Sequence, residues 1–132
     1  MKIREIFTKT INYTLLNINL NIIDQKAEFL IDDRFDDIHI EKDKLSLIYV
    51  REIVFPAENS YKLEIKVRVR RTAKEDVDLK EILNEKTILE NADNILNLVS
   101  NYVSLLISEM TGSFGNVPLV TPPTFLKQKN KT

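Results

Sequence analysis

Alternation with a period of two residues dominates the first half of the chain. It is clearest in YKLEIKVRVRR, where Tyr61, Leu63, Ile65, Val67 and Val69 share one side and Lys62, Glu64, Lys66, Arg68 and Arg70 the other. A strand with one dry and one wet face reads this way, which predicts an antiparallel sheet solvated on one side. Upstream, Ile3, Phe7, Ile11, Tyr13 and Leu15, continued by Ile18, Leu20 and Ile22, predict a first strand. DDIHIEKDKLSLIYVREIVFP predicts two strands around the turn EKDK, the second ended by Pro56. The intervening DQKAEFLIDDRF is too irregular to pair throughout and is read as a crossover loop carrying apolar side chains.

After Glu75 the period lengthens to that of a helix. DLKEILNE predicts a short one, and a longer helix is expected to start at Thr87, where Thr87 and Glu90 have capping-box spacing, or alternatively at Asp93. At about 100° per residue, Ile95, Leu96, Val99, Tyr102, Val103, Leu106 and Met110 form an apolar arc that Leu98 and Leu105 widen, and this arc is expected to cover the sheet. The helix should stop near Gly112, and TGSFGNVPLVTPPTF should then run extended, because Pro118, Pro122 and Pro123 bar helix at and just before them. The predicted fold class is α+β, a four-stranded antiparallel sheet with a long C-terminal helix packed on one face. One domain is expected over residues 1–126, with 127–132 a polar tail.

The opposite side of the long helix carries Asn97, Ser100, Asn101, Ser104 and Ser108, none of them charged, in a chain that is 30% Asp, Glu, Lys and Arg. A solvated helical surface in such a chain should hold Lys and Glu pairs, so this quiet polar stripe is expected to touch protein. The remaining composition bounds the function. With 132 residues, 43% hydrophobic positions and a net charge of −1, the chain reads as one globular domain with no basic excess to explain. It has no cysteine, which excludes disulfides, thiol catalysis and thiolate metal sites. No apolar run approaches the ~18 residues of a membrane span, and a cytoplasmic location is expected. Its two glycines, Gly112 and Gly115, leave the first 111 residues without a position expected to take positive φ cheaply, and without a glycine-rich phosphate cradle.

Candidate chemistry is sparse. His39 stands among Asp32, Asp33, Asp36 and Asp37, but an oxygen-ligand cation loop needs ligands at regular offsets around a sharp glycine turn, and none is present. TGSFGN reads as a helix stop, since no strand precedes it and no Lys follows. No nucleophile elbow occurs. Neither an enzyme nor a cofactor is implied. Lys62, Lys66, Arg68 and Arg70 on strand 61–71 could contact nucleic-acid phosphates, yet that face lacks the aromatics that stack bases, and pairing with Glu52 or Asp37 on neighbouring strands is the simpler reading. Nucleic acid is thus an unlikely partner.

The order of strand, crossover, three-stranded meander, long helix and proline-rich exit resembles the SecB and SecB-like family of bacterial translocation chaperones. IREIFTKTINY resembles that family's first strand, NADNIL its entry into the long helix, and FGNVPLVTPPTF its exit with an aromatic, spaced prolines, Leu, and Thr before Phe. The resemblance implies a homodimer or homotetramer, a dimer of dimers with long helices sandwiched between sheets. Asn97, Ser100, Asn101, Ser104 and Ser108 would then form the oligomer interface. It also implies an ATP-independent holdase that binds unfolded or preprotein polypeptides in surface grooves, in protein export or beside a toxin-antitoxin pair. Phe29, Leu30, Phe35, Ile38 and Ile40 resemble the groove floor, and Phe114, Leu119 and Phe125 a further wall. Two departures qualify the match. The family engages the SecA motor through an acidic outer sheet, whereas Lys62, Lys66, Arg68 and Arg70 stand here, so SecA coupling is not carried over. The chain ends soon after Phe125, so the second groove-flanking helix is expected to be missing. The alternatives are a structural assembly protein of phage type and a nucleic-acid module using the basic strand.

Overall fold

The computed structural model describes residues 5–20, 30–54, 62–112 and 120–126. Four strands, β1 (Phe7–Leu20), β2 (Leu30–Ile40), β3 (Lys44–Val54) and β4 (Lys62–Ala73), are followed by four helices, α1 (Leu79–Ile82), α2 (Glu85–Glu90), α3 (Ala92–Leu96) and α4 (Val99–Gly112). The strands form one antiparallel sheet in the order β1-β4-β3-β2. This is the α+β arrangement expected, with β1 and β2 as its edges.

The sheet divides as the alternation requires. Leu63, Ile65, Val67 and Val69 of β4 and Leu45, Leu47, Tyr49 and Ile53 of β3 are buried on one face. Against them pack Leu79, Ile88, Ile95, Leu96, Val99, Val103 and Ile107 from the four helices and Leu83 from the end of α1. Strand β2 departs from the sequence reading in two ways. Residues 30–35, expected in the crossover loop, are already strand β2. A bulge between Asp36 and His39, with Asp37 at φ 51°, then inserts an extra residue, so that Phe35 and Ile38 both lean towards the core although their spacing is odd.

The helical segment is corrected more sharply. The expected long helix is broken into α2, α3 and α4, and the N-cap of α2 is Asn84 instead of Thr87. Asn84 accepts from the Thr87 amide at 2.9 Å and from its hydroxyl at 3.0 Å. The break before α4 follows from Arg71. Its Nη1 donates to Asn94 O at 3.1 Å and Ile95 O at 2.8 Å, two carbonyls that an uninterrupted helix would give to the amides of Leu98 and Val99. The guanidinium sits 4.7 Å from the centre of the Phe7 ring and its pKa is lowered by burial, so it is a buried cation spent on a helix end.

Positive φ is found at Asp37, Asp76 and Asn97, none of them glycine. Asp and Asn tolerate this region better than other side chains, and each stands at a bulge, a turn or a helix break. Asn97, at φ 51° and ψ −117°, lies in territory that glycine occupies most cheaply. Asn97→Gly should therefore stabilise the protein by about 1 kcal/mol, read as a higher melting temperature, the relief of strain outweighing the added chain entropy.

Candidate peptide-binding surface

Core-facing positions of strands are normally apolar, yet Arg51 of β3 and Asp33 of β2 occupy one such cross-strand row beside Ile65. Both are buried, and they form a bidentate pair, Nε to Oδ1 at 2.8 Å and Nη2 to Oδ2 at 2.7 Å. What makes this tolerable is the C-terminal segment 120–126, which crosses between α4 and the edge of β2. Arg51 Nη1 donates to Thr121 Oγ1 at 3.1 Å and Pro122 O at 2.7 Å, and Nη2 to Thr124 O at 2.6 Å. The guanidinium thus makes five hydrogen bonds, as many as it has N–H groups. Burial alone would lower the Arg51 pKa, but the bond to Asp33 and the neighbouring charge outweigh it and hold the cation above its ordinary value. The Tyr49 phenol beside it is pushed upward, first by burial and then by the Asp33 carboxylate.

The rest of this strap is held in the same way, by side chains gripping its main chain. Ser100 Oγ donates to Pro123 O at 2.7 Å, and Ser104 Oγ donates to Thr121 O. The Phe125 amide donates to Asp93 Oδ1 and the Leu126 amide to Asp33 Oδ2, both at 2.7 Å, while Asp33 N donates to Leu126 O at 2.7 Å. Asp93, weighed as a helix cap, instead anchors the strap. Prolines at 122 and 123 suit the seat because the partners offered there are donors, which proline carbonyls can accept while having no N–H to satisfy.

The residues expected to face other subunits are therefore divided. Ser100 and Ser104 are 2% and 8% exposed under the chain's own strap, and this intrachain packing accounts for their lack of charge. The interface expectation is corrected for these two. Asn97 and Asn101 are exposed and Ser108 is half-buried. What sequence reasoning passed over lies beside them: Leu98 is 70% and Leu105 58% exposed on the helical side, and Tyr13, Leu15 and Leu16 are exposed on edge strand β1. Tyr13 and Tyr102 touch across this boundary, with ring centres 5.1 Å apart. Leu98 and Leu105, expected to widen the arc that covers the sheet, both lie outside that cover.

Of the expected groove residues, Phe29, Phe114, Leu119 and the side chain of Leu30 lie outside the described residues. The structure brings Phe35, Ile38, Ile40 and Phe125 together along the β2 side of the core, each half-buried. Phe35 stacks on Phe125 with ring centres 4.8 Å apart and meets Tyr49 edge-on at 6.3 Å. These side chains are anchored from behind and open in front. His39 projects to the other face, where its Nε2 lies 2.8 Å from Asp37 Oδ1. Among the described residues no cluster of His, Asp and Glu could hold a metal ion.

The wet face carries an ion-pair network. Arg34 contacts Asp36, Glu52 and Glu64, Lys66 contacts Glu64, and Arg68 contacts Asp37 at 3.1 Å. Arg68 first and His39 second hold the Asp37 carboxyl below the usual range. Of the pairings expected for the basic strand, Arg68–Asp37 is formed, reaching past β3 to β2, whereas Lys66 pairs with Glu64 of its own strand and Glu52 contacts Arg34. Among the described residues no helix is long and apolar enough to cross a membrane.

No protein-family model matches the chain, and no curated protein matches it. Among solved structures it is similar to the Mycobacterium tuberculosis Rv1957 SecB-like chaperone, in complex with a ChAD peptide from the Rv1956 HigA1 antitoxin. That likeness has a TM-score of 0.65 at 10% identity and covers 86% of this chain and 85% of the other. A protein of unknown function from Streptococcus agalactiae matches at a TM-score of 0.36 and 9% identity, over 86% of this chain and 98% of that one. Four antiparallel strands in this order with helices across one face are, on this comparison, the fold of a SecB-like chaperone.

Proposed function

We propose that the protein is an ATP-independent holdase that takes unfolded, extended polypeptide along the β2 edge of its sheet. The observation that carries this reading is the row Phe35, Ile38, Ile40 and Phe125, apolar, half-buried and set beside an edge strand. An extended chain can add to such an edge through its backbone, while apolar pockets take alternate side chains without demanding a sequence. The shared fold with a chaperone whose structure includes an antitoxin peptide supports the reading. Exported preproteins and antitoxin segments both have this chemistry.

The test is suppression of aggregation of a denatured client without nucleotide, with Phe35→Ala and Ile40→Ser compared against the parent. A fully buried Phe→Ala change costs ~3–5 kcal/mol, so Phe35, which is only partly buried, should lose less than that and leave the protein folded, while client protection falls strongly. Full protection by both folded variants would remove these side chains from the site. Protection should also persist in high salt, because apolar contacts are scarcely screened.

The functional unit we propose is a homo-oligomer built on β1 and the exposed side of α4. In its 14 residues β1 carries a single charge, Lys9, whereas β2 carries Asp and Arg along its length and is partly covered by the strap. An edge this poor in charge, interrupted by register shifts between Phe7 and Ile11 and between Leu15 and Asn17, is open to pairing with another strand. A second copy related by two-fold symmetry would cover it together with Leu98 and Leu105.

A further inference from the structure

A second site, independent of the chaperone reading, lies on the wet face of the sheet. Asn12, Arg70, Ser46 and His39 are in register across β1, β4, β3 and β2 and form one continuous row. Beside it Lys44 and Thr72 are cross-strand partners. Together these residues line an open cleft of about 400 Å³. Three other cations of this face among the described side chains, Arg34, Lys66 and Arg68, have carboxylate partners. Arg70 and Lys44 have none among the described residues, and both are exposed. The cleft therefore sets two unpaired cations against one carboxylate, Glu41, on its lining. Asn12 and Thr72 add neutral donors, and Ser46, whose oxygen already accepts from Arg68 at 3.1 Å, keeps its hydroxyl proton to give.

We propose that this cleft binds an acidic segment of a polypeptide partner, laid across the strands with its carboxylates on Arg70 and Lys44. Its dimensions favour a peptide over a lone oxyanion. A row across four strands spans ~14 Å at ~4.8 Å per strand, the length of about four extended residues. A nucleic-acid strand is the poorer fit, because no aromatic ring lines the cleft and the two cations are too few to track a phosphate backbone. The site lies on the face of the sheet opposite the helices and reaches the β2 edge at His39.

Fluorescently labelled hexaglutamate titrated into the full chain at low salt tests this. Binding is expected, weakened about tenfold by Arg70→Ala or by Lys44→Ala and abolished by the pair, since a hydrogen bond between charged groups is lost each time. Melting temperatures should stay at the parent value, because both side chains are exposed. Lys66→Ala, on the same face but in the paired network, should leave affinity unchanged. Failure of hexaglutamate to bind up to millimolar concentration would overturn the proposal. So would an equal loss from Lys66→Ala, which would indicate diffuse charge attraction. Displacement by inorganic phosphate at concentrations comparable to the peptide would make the cleft a simple oxyanion site, and tighter binding of oligothymidylate through the same two residues would make it a nucleic-acid site. Either result would refute the acidic-peptide assignment.

Discussion

Asp33→Ala is expected to cost about 3–5 kcal/mol of stability, measured by denaturant unfolding, because it leaves a buried guanidinium without its counter-charge. Against the 5–15 kcal/mol that typically separates folded from unfolded domains, such a loss removes much of the margin. The Arg51–Asp33 pair is fully shielded, with both side chains at 0% exposure, so solvent screening does not discount it. The change also deprives the Leu126 amide of its acceptor. A double replacement, Asp33→Leu with Arg51→Met, should recover the electrostatic part, since exchanging a buried ion pair for apolar groups is often neutral. It should not recover the whole, because Pro122 O and Thr124 O lose their donors, at about 1 kcal/mol for each hydrogen bond. A loss below about 1 kcal/mol in the single variant would mean that the pair behaves like one at the surface.

Ser104→Arg should rank with it. Ser104 is buried against Thr121, with the two hydroxyls 3.0 Å apart, and an arginine there would have to displace the strap or bury an unpaired charge. The expected result is a loss of several kcal/mol in the unfolding of the chain itself, whatever its oligomeric state. Leu105→Arg, on the exposed side of the same helix, is expected to leave intrachain stability nearly untouched and to shift the mass in solution towards monomer. If Leu105→Arg keeps the parent's mass at low micromolar concentration, the proposed interface on β1 and α4 is in the wrong place.

The strands were legible because their information is local. In β4 every second residue from Leu63 to Val69 is apolar and every intervening one charged, and no partner need be known to read it. The strap was not legible, since its holding residues come from far apart in the chain, with 70 positions between Arg51 and Thr121. A signal was nevertheless present. Arg51 follows Leu45, Leu47 and Tyr49 at the inward parity of β3, and Arg71 follows Val67 and Val69 at the inward parity of β4. A guanidinium placed where a strand must be dry demands carbonyls or a carboxylate nearby. For Arg51 those are Asp33 and the strap, and for Arg71 the end of α3. The helix break escaped detection for the same reason: residues 87–112 read as continuous by period, and the interruption is imposed by a side chain of the sheet. The serine stripe was recognised as unusual, but the partner is the chain's own strap at Ser100 and Ser104.

The irregularity at Asp37 makes β2 behave like a message with a shifted reading frame. Upstream of it odd-numbered side chains, Asp33 and Phe35, turn inward; downstream the inward set is even-numbered, Ile38 and Ile40, and His39 is turned out. Deleting Asp37 would remove the extra residue and leave strict alternation, with Phe35, Ile38 and Ile40 inward and Asp36 and His39 outward, so every side chain keeps its face while the bulge and the Asp37 contacts to Arg68 and His39 are lost. Deleting Asp36 and Asp37 together would instead set Ile38 directly after Phe35, turning both isoleucines into water and His39 towards the core. Related chains without the bulge should accordingly be one residue shorter within this strand, whereas length changes in the turn between Ile40 and Lys44 carry no such parity constraint on the residues that precede it.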